Sequence, residues 1–264
     1  MTFEELDDRP LKSNDHLWRY LDFHKFLFLF LEKKIFLPRL DLFQDPFEGV
    51  TTRLIKQRFL GKSIPEIQNL NPALPKEIQD QLTEQKKFLD KLYEKEALTK
   101  QKTQYINCWF YENRESMAMW NIYSNSDSVA IKINGRKFVD FLKHIIKLQP
   151  TYYPHHKFIC GPVKYVEINP VNLSKTVKGI KYSAFKKDTS FNFEKEYRLL
   201  IVTPIADKDK NPNFHTLDLT SNFFEMLEVI CHPQMEDWKF QNIDKLCRQS
   251  GVYKVNKSSI EIKI

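Results

Sequence analysis

Phe193-Glu194-Lys195-Glu196-Tyr197-Arg198-Leu199-Leu200-Ile201-Val202 is the stretch on which the fold turns. Strand alternation sets Glu194, Glu196 and Arg198 on one face and Lys195, Tyr197 and Leu199 on the other. From Leu199 onward the run is apolar on both faces, as in a strand covered on two sides. Two carboxylates and a guanidinium at the head of such a strand are costly to bury unpaired. The block therefore predicts either an ion-pair lattice or a wet cleft at the strand end, and such clefts are common binding sites.

A central strand needs neighbours. Strand patterns occur at 17–21, 35–38, 104–110, 128–133 and 162–168, within 217–233, and from 252 to the end. Helical patterns run from an Asp22 cap through Lys34, and over 114–124, 138–148 and 234–250. This irregular mixture predicts an α+β single domain whose mixed, mainly antiparallel sheet is flanked by helices. Residues 50–104 differ in kind. Pro65, Pro72 and Pro75 break their middle, and a Lys-, Glu- and Gln-rich stretch follows, with Leu82, Leu89 and Leu92 in partial helical register. They read as a helical insertion, either a partner-binding arm or a solvated helix over a sheet edge.

Composition limits the function classes. With 264 residues the chain can bury a sizeable core without a staple. Only 6 glycines argue against a glycine-rich phosphate loop, and 21 phenylalanines argue for a bulky aromatic core. The net charge of +7 is spread along the chain, which fits a lysine-rich surface or weak attraction to nucleic acid. Cys108, Cys160, Cys231 and Cys247 form no C-x-x-C pair, so the strong zinc signature is missing and no metal is expected. The N-terminus is acidic and lacks a secretory pattern. The apolar run 26–31 is far shorter than the ~20 residues that span a bilayer. The expectation is a cytoplasmic chain with reduced thiols and no membrane contact.

Several side chains could carry chemistry. Arg19 lies between apolar neighbours in a predicted strand. It suits bidentate capture of a phosphate or carboxylate, or an internal pair with Glu194, Glu196 or Asp45. On a helix, Trp120, Tyr123 and Ser124 share a face, where the two rings could stack on a flat ligand; core packing is the plain alternative. Asp45 and Glu48 put two carboxylates on a turn-rich loop, which could orient a base or a metal. His155-His156 with Cys160 matches no zinc spacing and reads as a loop.

The ordered set of motifs resembles a known family. Trp18-Arg19-Tyr20, Asp45-Pro46-Phe47-Glu48-Gly49, Met119 to Ser124 before a valine-rich strand, Val163-Lys164-Tyr165, and Phe193 to Arg198 occur in the order found in the bacterial domain of unknown function 2971 family. The resemblance covers nearly the whole chain outside the insertion, and Gln44 departs from the family's more frequent asparagine. It implies a bacterial or phage-borne cytoplasmic protein and no settled activity. The order Arg19, then Tyr123 or Ser124, then Glu194-Lys195-Glu196 is also similar to that of ADP-ribosyltransferases. That similarity implies NAD as cofactor, with Arg19 on its pyrophosphate and an aromatic on nicotinamide. Glu196 would stabilise the oxocarbenium-like ribose, and the target would be a protein or nucleic acid. In this reading Glu194, Glu196 and Arg19 are catalytic, while Arg198, Trp120, Tyr123, Ser124 and Asp45 bind a small-molecule nucleotide. Arg198 stands where it can serve either the acid or the ligand. The rival readings are a non-enzymatic binding module and a metal-dependent nuclease, the latter using Asp45 or Glu48 with Glu194 and Glu196.

Overall fold

A computed structural model describes residues 2–6, 10–45, 47–52, 54–55, 74–148, 155–168, 180–204 and 211–261. In chain order the strands are β1 (Thr2–Glu5), β2 (His16–Leu21), β3 (Lys34–Pro38), β4 (Gln104–Tyr111), β5 (Val129–Asn134) and β6 (Lys157–Pro162). There follow β7 (Lys164–Val166), β8 (Lys186–Asp188), β9 (Glu196–Val202), β10 (Phe214–Asp218), β11 (Glu228–Cys231) and β12 (Lys254–Lys257). The helices are α1 (Phe23–Glu32), α2 (Lys76–Gln101), α3 (Met117–Tyr123), α4 (Gly135–Leu148), α5 (Ser221–Glu225) and α6 (Asp237–Gln249).

Eight strands form one sheet in the order β1-β6-β9-β4-β2-β5-β11-β12. Only the outermost pairs, β1 with β6 and β11 with β12, are parallel; the rest are antiparallel. The expected α+β domain with a mixed, mainly antiparallel sheet is what forms. β9 is an interior strand between β6 and β4, as its two-sided apolar run requires. Its alternation divides the core. Tyr197, Leu199 and Ile201 enter the large cluster packed by α1, α4, α5 and α6. Leu200 lies on the opposite face in a smaller cluster with Ile106, Ile159 and Phe185.

Local chemistry sets several ends. The Asp22 carboxylate caps α1 by accepting from the Lys25 N–H at 2.8 Å, and Lys33 closes that helix in the left-handed region. α3 starts later than the sequence suggests because Ser116 is its N-cap, accepting from the Met119 N–H at 3.3 Å. β1 and β6 were not expected, and the predicted strand over 162–168 shrinks to β7. Pro65 and Pro72 of the expected insertion lie outside the described residues. α2 is the part of it that is described, and among the described residues no helix is long and apolar enough to cross a membrane.

Gly49 fixes the loop before the insertion. It holds φ +66°, and an added Cβ would sit 2.0 Å from Leu40 Cδ2. Gly49→Ala should therefore destabilise the fold by about 2–4 kcal/mol, the combined effect of a left-handed alanine and an overpacked contact. Urea unfolding of the variant measures it, and a change near zero would mean the loop re-forms elsewhere.

Candidate functional site

The polar face of β9 is buried rather than open. Glu196 and Arg198 point to the side of the sheet opposite the large core, and Arg198 is 0% exposed. Arg198 Nε donates to Glu196 Oε2 at 2.5 Å, and its Nη1 donates to Glu48 Oε1 at 2.5 Å and to the Ala184 carbonyl. Glu194 is not part of the strand. It ends a 3-10 turn, and Lys195 at φ 39° turns the chain into β9. The kink still delivers Glu194 to the cluster, where it accepts from Lys187 Nζ and from the Tyr123 hydroxyl. Lys195 points outward and pairs with Glu112 at 2.5 Å.

Lys187 joins three carboxylates. Its ammonium donates to Glu194, lies 3.0 Å from Glu196 Oε1 and 3.7 Å from Glu48 Oε2. It reaches them because β8 pairs with β7 in parallel, opposing Lys187 to Tyr165. The Tyr165 hydroxyl in turn accepts from the Glu196 N–H at 2.8 Å. Glu48 is held from behind. Gln101 donates to the Glu48 carbonyl at 2.6 Å, Ser183 to the Gly49 carbonyl at 2.6 Å, and Lys186 Nζ to the Val50 carbonyl at 2.7 Å. Across the ladder, Cys108 is the register partner of Arg198, and its thiol leans on Glu196.

Three acids face two strong bases, and the protons distribute unevenly. Burial, and after it Glu196, pushes Glu194 up to about 7 against the pull of Lys187 and Tyr123. Burial would raise Glu196 too, but Arg198, a hydrogen bond from Glu194 and Lys187 hold it well below the usual carboxylate range. Burial raises Glu48 despite Arg198. Burial opposes the charge on Lys187, yet the surrounding carboxylates, led by Glu196, raise its pKa. Burial lowers Lys186 to about 8. Environments that push two neighbouring carboxylates apart in this way mark an acid and a permanent anion.

Arg19 meets none of its expected internal partners. Alternation in β2 puts it with Leu17 and Leu21, opposite Ile131 of β5. It is half-buried, and among the described residues nothing hydrogen-bonds or ion-pairs it. Burial lowers its pKa to about 10, with the Cys108 thiol opposing. Alternation thus sets it on the large-core face with Leu17 and Leu21, opposite the face that carries Glu196 and Arg198. β2 pairs with β4 only at Leu17 and Trp18, so the strands part where Arg19 begins.

Other expected site residues do not converge. Trp120 is 0% exposed; its indole donates to Glu115 at 2.9 Å and its ring meets Tyr20 edge-on. It is core, because α3 buries that side. Ser124 is the C-cap of α3, and its hydroxyl donates to the Trp120 carbonyl. Tyr123 alone of the three reaches both solvent, at 44% exposure, and the cluster. Asp45 builds its own turn by accepting from the Phe47 N–H at 2.8 Å. Arg198 spends its Nε and Nη1 on the acids and the Ala184 carbonyl, while its Nη2, Glu48 Oε2 and Asp45 Oδ2 are buried without hydrogen-bond partners among the described residues. The metal reading meets an obstacle. The Lys187 ammonium sits between the carboxylates, and among the described residues no group of three or more His, Cys, Asp or Glu is placed to hold a metal ion.

Sequence reasoning missed Lys187, Tyr165 and Cys108. An adjacent Lys186-Lys187 pair has the surface as its default, and the nearby Phe185 and Phe191 are the one signal of burial in the sequence. No family model matches the chain, and neither does any curated protein or solved structure.

Proposed function

We propose that the chain is an NAD-using glycosyl-transfer enzyme of the ADP-ribosyltransferase or glycohydrolase kind. The observation that carries this is the split carboxylate pair, Glu194 titrating near neutrality beside an ionised Glu196, with an unpaired Arg19 two strands away on β2. Arg19 would hold an anionic pyrophosphate, since a half-buried guanidinium without an acid is suited to a ligand's anion. The role expected of Glu196 moves to Glu194. Both Glu196 oxygens are occupied by Lys187 and Arg198, whereas Glu194 touches Tyr123 at the solvent edge. The C1′–N bond to nicotinamide would break with its electron pair leaving on the neutral ring. The C1′–O bond to water or an acceptor hydroxyl would form, and the acceptor's proton would pass to ionised Glu194. The ordered motifs support membership of the bacterial domain of unknown function 2971 family as part of the same proposal.

A second reading is a non-enzymatic binding module. It is favoured by the complete burial of Arg198, which makes the lattice look structural. One experiment separates them. In the enzyme reading NAD raises the melting temperature and free nicotinamide accumulates. Glu194→Gln then lowers turnover by roughly 10²–10⁴-fold while keeping the NAD-induced shift, and Arg19→Met loses the shift. Wild-type protein that gives neither shift nor nicotinamide at millimolar NAD sinks the enzyme reading.

A further inference from the structure

One register row crosses five strands. It runs from Glu196 of β9 through Phe110 of β4, Trp18 of β2 and Lys132 of β5 to Glu228 of β11. Directly opposed residues share a face of the sheet, so the row continues the face of the acid cluster. At its far end Trp18, Lys132 and Glu228 floor an open cleft of about 580 Å³, within the size range of small-molecule sites. The Lys132 ammonium lies 5.1 Å from the centre of the Trp18 ring. The loop before α3 and the segment after β12 wall the cleft. Glu115 latches the two walls, accepting from the Ser259 N–H at 2.8 Å and from the Ser258 and Ser259 hydroxyls at 2.5 and 2.7 Å.

The acids of this cleft are spent and its donors are not. Glu115 Oε2 serves Ser258 and the Trp120 indole, and Oε1 serves Ser259. Glu228 accepts from Lys132 at 3.0 Å and from the Asn256 amide at 3.1 Å. Among the described residues, Arg114 has no hydrogen bond or ion pair, and the Asn113 amide N–H groups have no acceptor. Lys132 bonds only Glu228, which leaves it further N–H groups to give. Ile230 and Ile260 add an apolar strip.

We propose that this cleft binds a small organic phosphate, a phosphate monoester with an apolar body. Unspent donors in excess of unspent acceptors select an anion. Arg114 and Asn113 on the wall and Lys132 on the floor take the phosphate oxygens. A guanidinium fork, an amide and an ammonium from two sides match three terminal oxygens better than the two of a carboxylate. The apolar body rests on Ile230 and Ile260. The site is separate from Glu194, because Glu115 precedes α3 and Tyr123 ends it. The proposal is independent of the glycosyl-transfer reading, no step of which uses these side chains.

Phenyl phosphate, titrated into the isotope-labelled full chain and followed by NMR, is the probe. It should move the Trp18 indole and the Asn113 and Asn256 amide signals with a Kd of about 1 mM or below. Arg114 is exposed, so Arg114→Met should keep the fold while raising that Kd about tenfold. Glu228→Gln should tighten binding, because it frees Lys132 for the ligand. Arg248→Met, on the exposed side of α6, should change nothing. Inorganic phosphate, which lacks the apolar body, and benzoate, which lacks the third oxygen, should both bind more weakly. No movement of these signals at about 20 mM phenyl phosphate overturns the proposal. So does equal weakening by Arg114→Met and Arg248→Met, which would mean diffuse surface charge, or benzoate binding more tightly than phenyl phosphate.

Discussion

Arg198→Met unfolds the protein at markedly lower denaturant, by roughly 3–5 kcal/mol. That is the cost of removing one partner from a buried ion pair. In a domain of this size the melting temperature should fall by about 10 °C. The reason lies in the count of charges. Arg198 and Lys187 face Glu48, Glu194 and Glu196, and Arg198 is the sole hydrogen-bond donor to Glu48 Oε1 and Glu196 Oε2 among the described residues. Without it Glu48, which burial already raises, must take up a proton, and Glu196 loses the main influence that keeps it ionised. Glu196→Gln in the same chain should recover part of the loss, because it removes the charge that Arg198 left unpaired. A double-mutant cycle reads that coupling directly. If Arg198→Met shifts the midpoint no more than an exposed lysine variant does, the cluster is not the buried lattice described above.

Part of this architecture was readable beforehand. The run from Leu199 to Val202 has no polar side to offer water, so β9 had to be interior. Asp22 had the cap chemistry and position that start α1. β1 was unreadable because Glu4 and Glu5 look solvated until Lys181 and Arg136 are seen to pair with them. β6 hid behind Gly161 and Pro162, residues that ordinarily argue against a strand. At the site, alternation found Glu196 and Arg198 on one face, but it placed Glu194 there for the wrong reason. A left-handed Lys195 brings Glu194 in, not a strand. Helical spacing grouped Trp120 with Tyr123 correctly as near neighbours, yet spacing cannot say which flank of a seven-residue helix faces the core. Lys187 was invisible because lysine is so rarely buried that its default is the surface. Two acids sharing one guanidinium could have been the clue, since Glu194 and Glu196 outnumber Arg198 on the expected polar face.

Glu194 should make stability fall as pH rises through neutrality, and Glu194→Gln should abolish that fall. The folded-state pKa of Glu194 is about 7, above its ordinary 4.5. The folded protein therefore keeps a proton that the unfolded chain releases between those values. Its contribution is complete below about 4.5 and is lost as pH climbs through 7, with a slope below ~1.4 kcal/mol per pH unit, the limit for one proton. Glu196 has the opposite sign. Its lowered pKa gives stability that is present above the ordinary carboxylate value and vanishes on acidification. Lys186, lowered to about 8, acts only above that pH, where stability rises toward the ordinary lysine value. Raised Glu48 adds to the Glu194 trend, so the informative quantity is the difference between wild type and Glu194→Gln from pH 5 to 7.5. Urea midpoints should draw together as pH falls toward 4.5 and separate toward pH 7.5, with the variant the more stable. Parallel curves would remove Glu194 as the titrating group. The same proton decides between the two functional readings. An enzyme that uses ionised Glu194 as its base gains turnover with a midpoint near pH 7, over the range in which its stability declines. A binding lattice shows the decline in stability and no turnover to set against it.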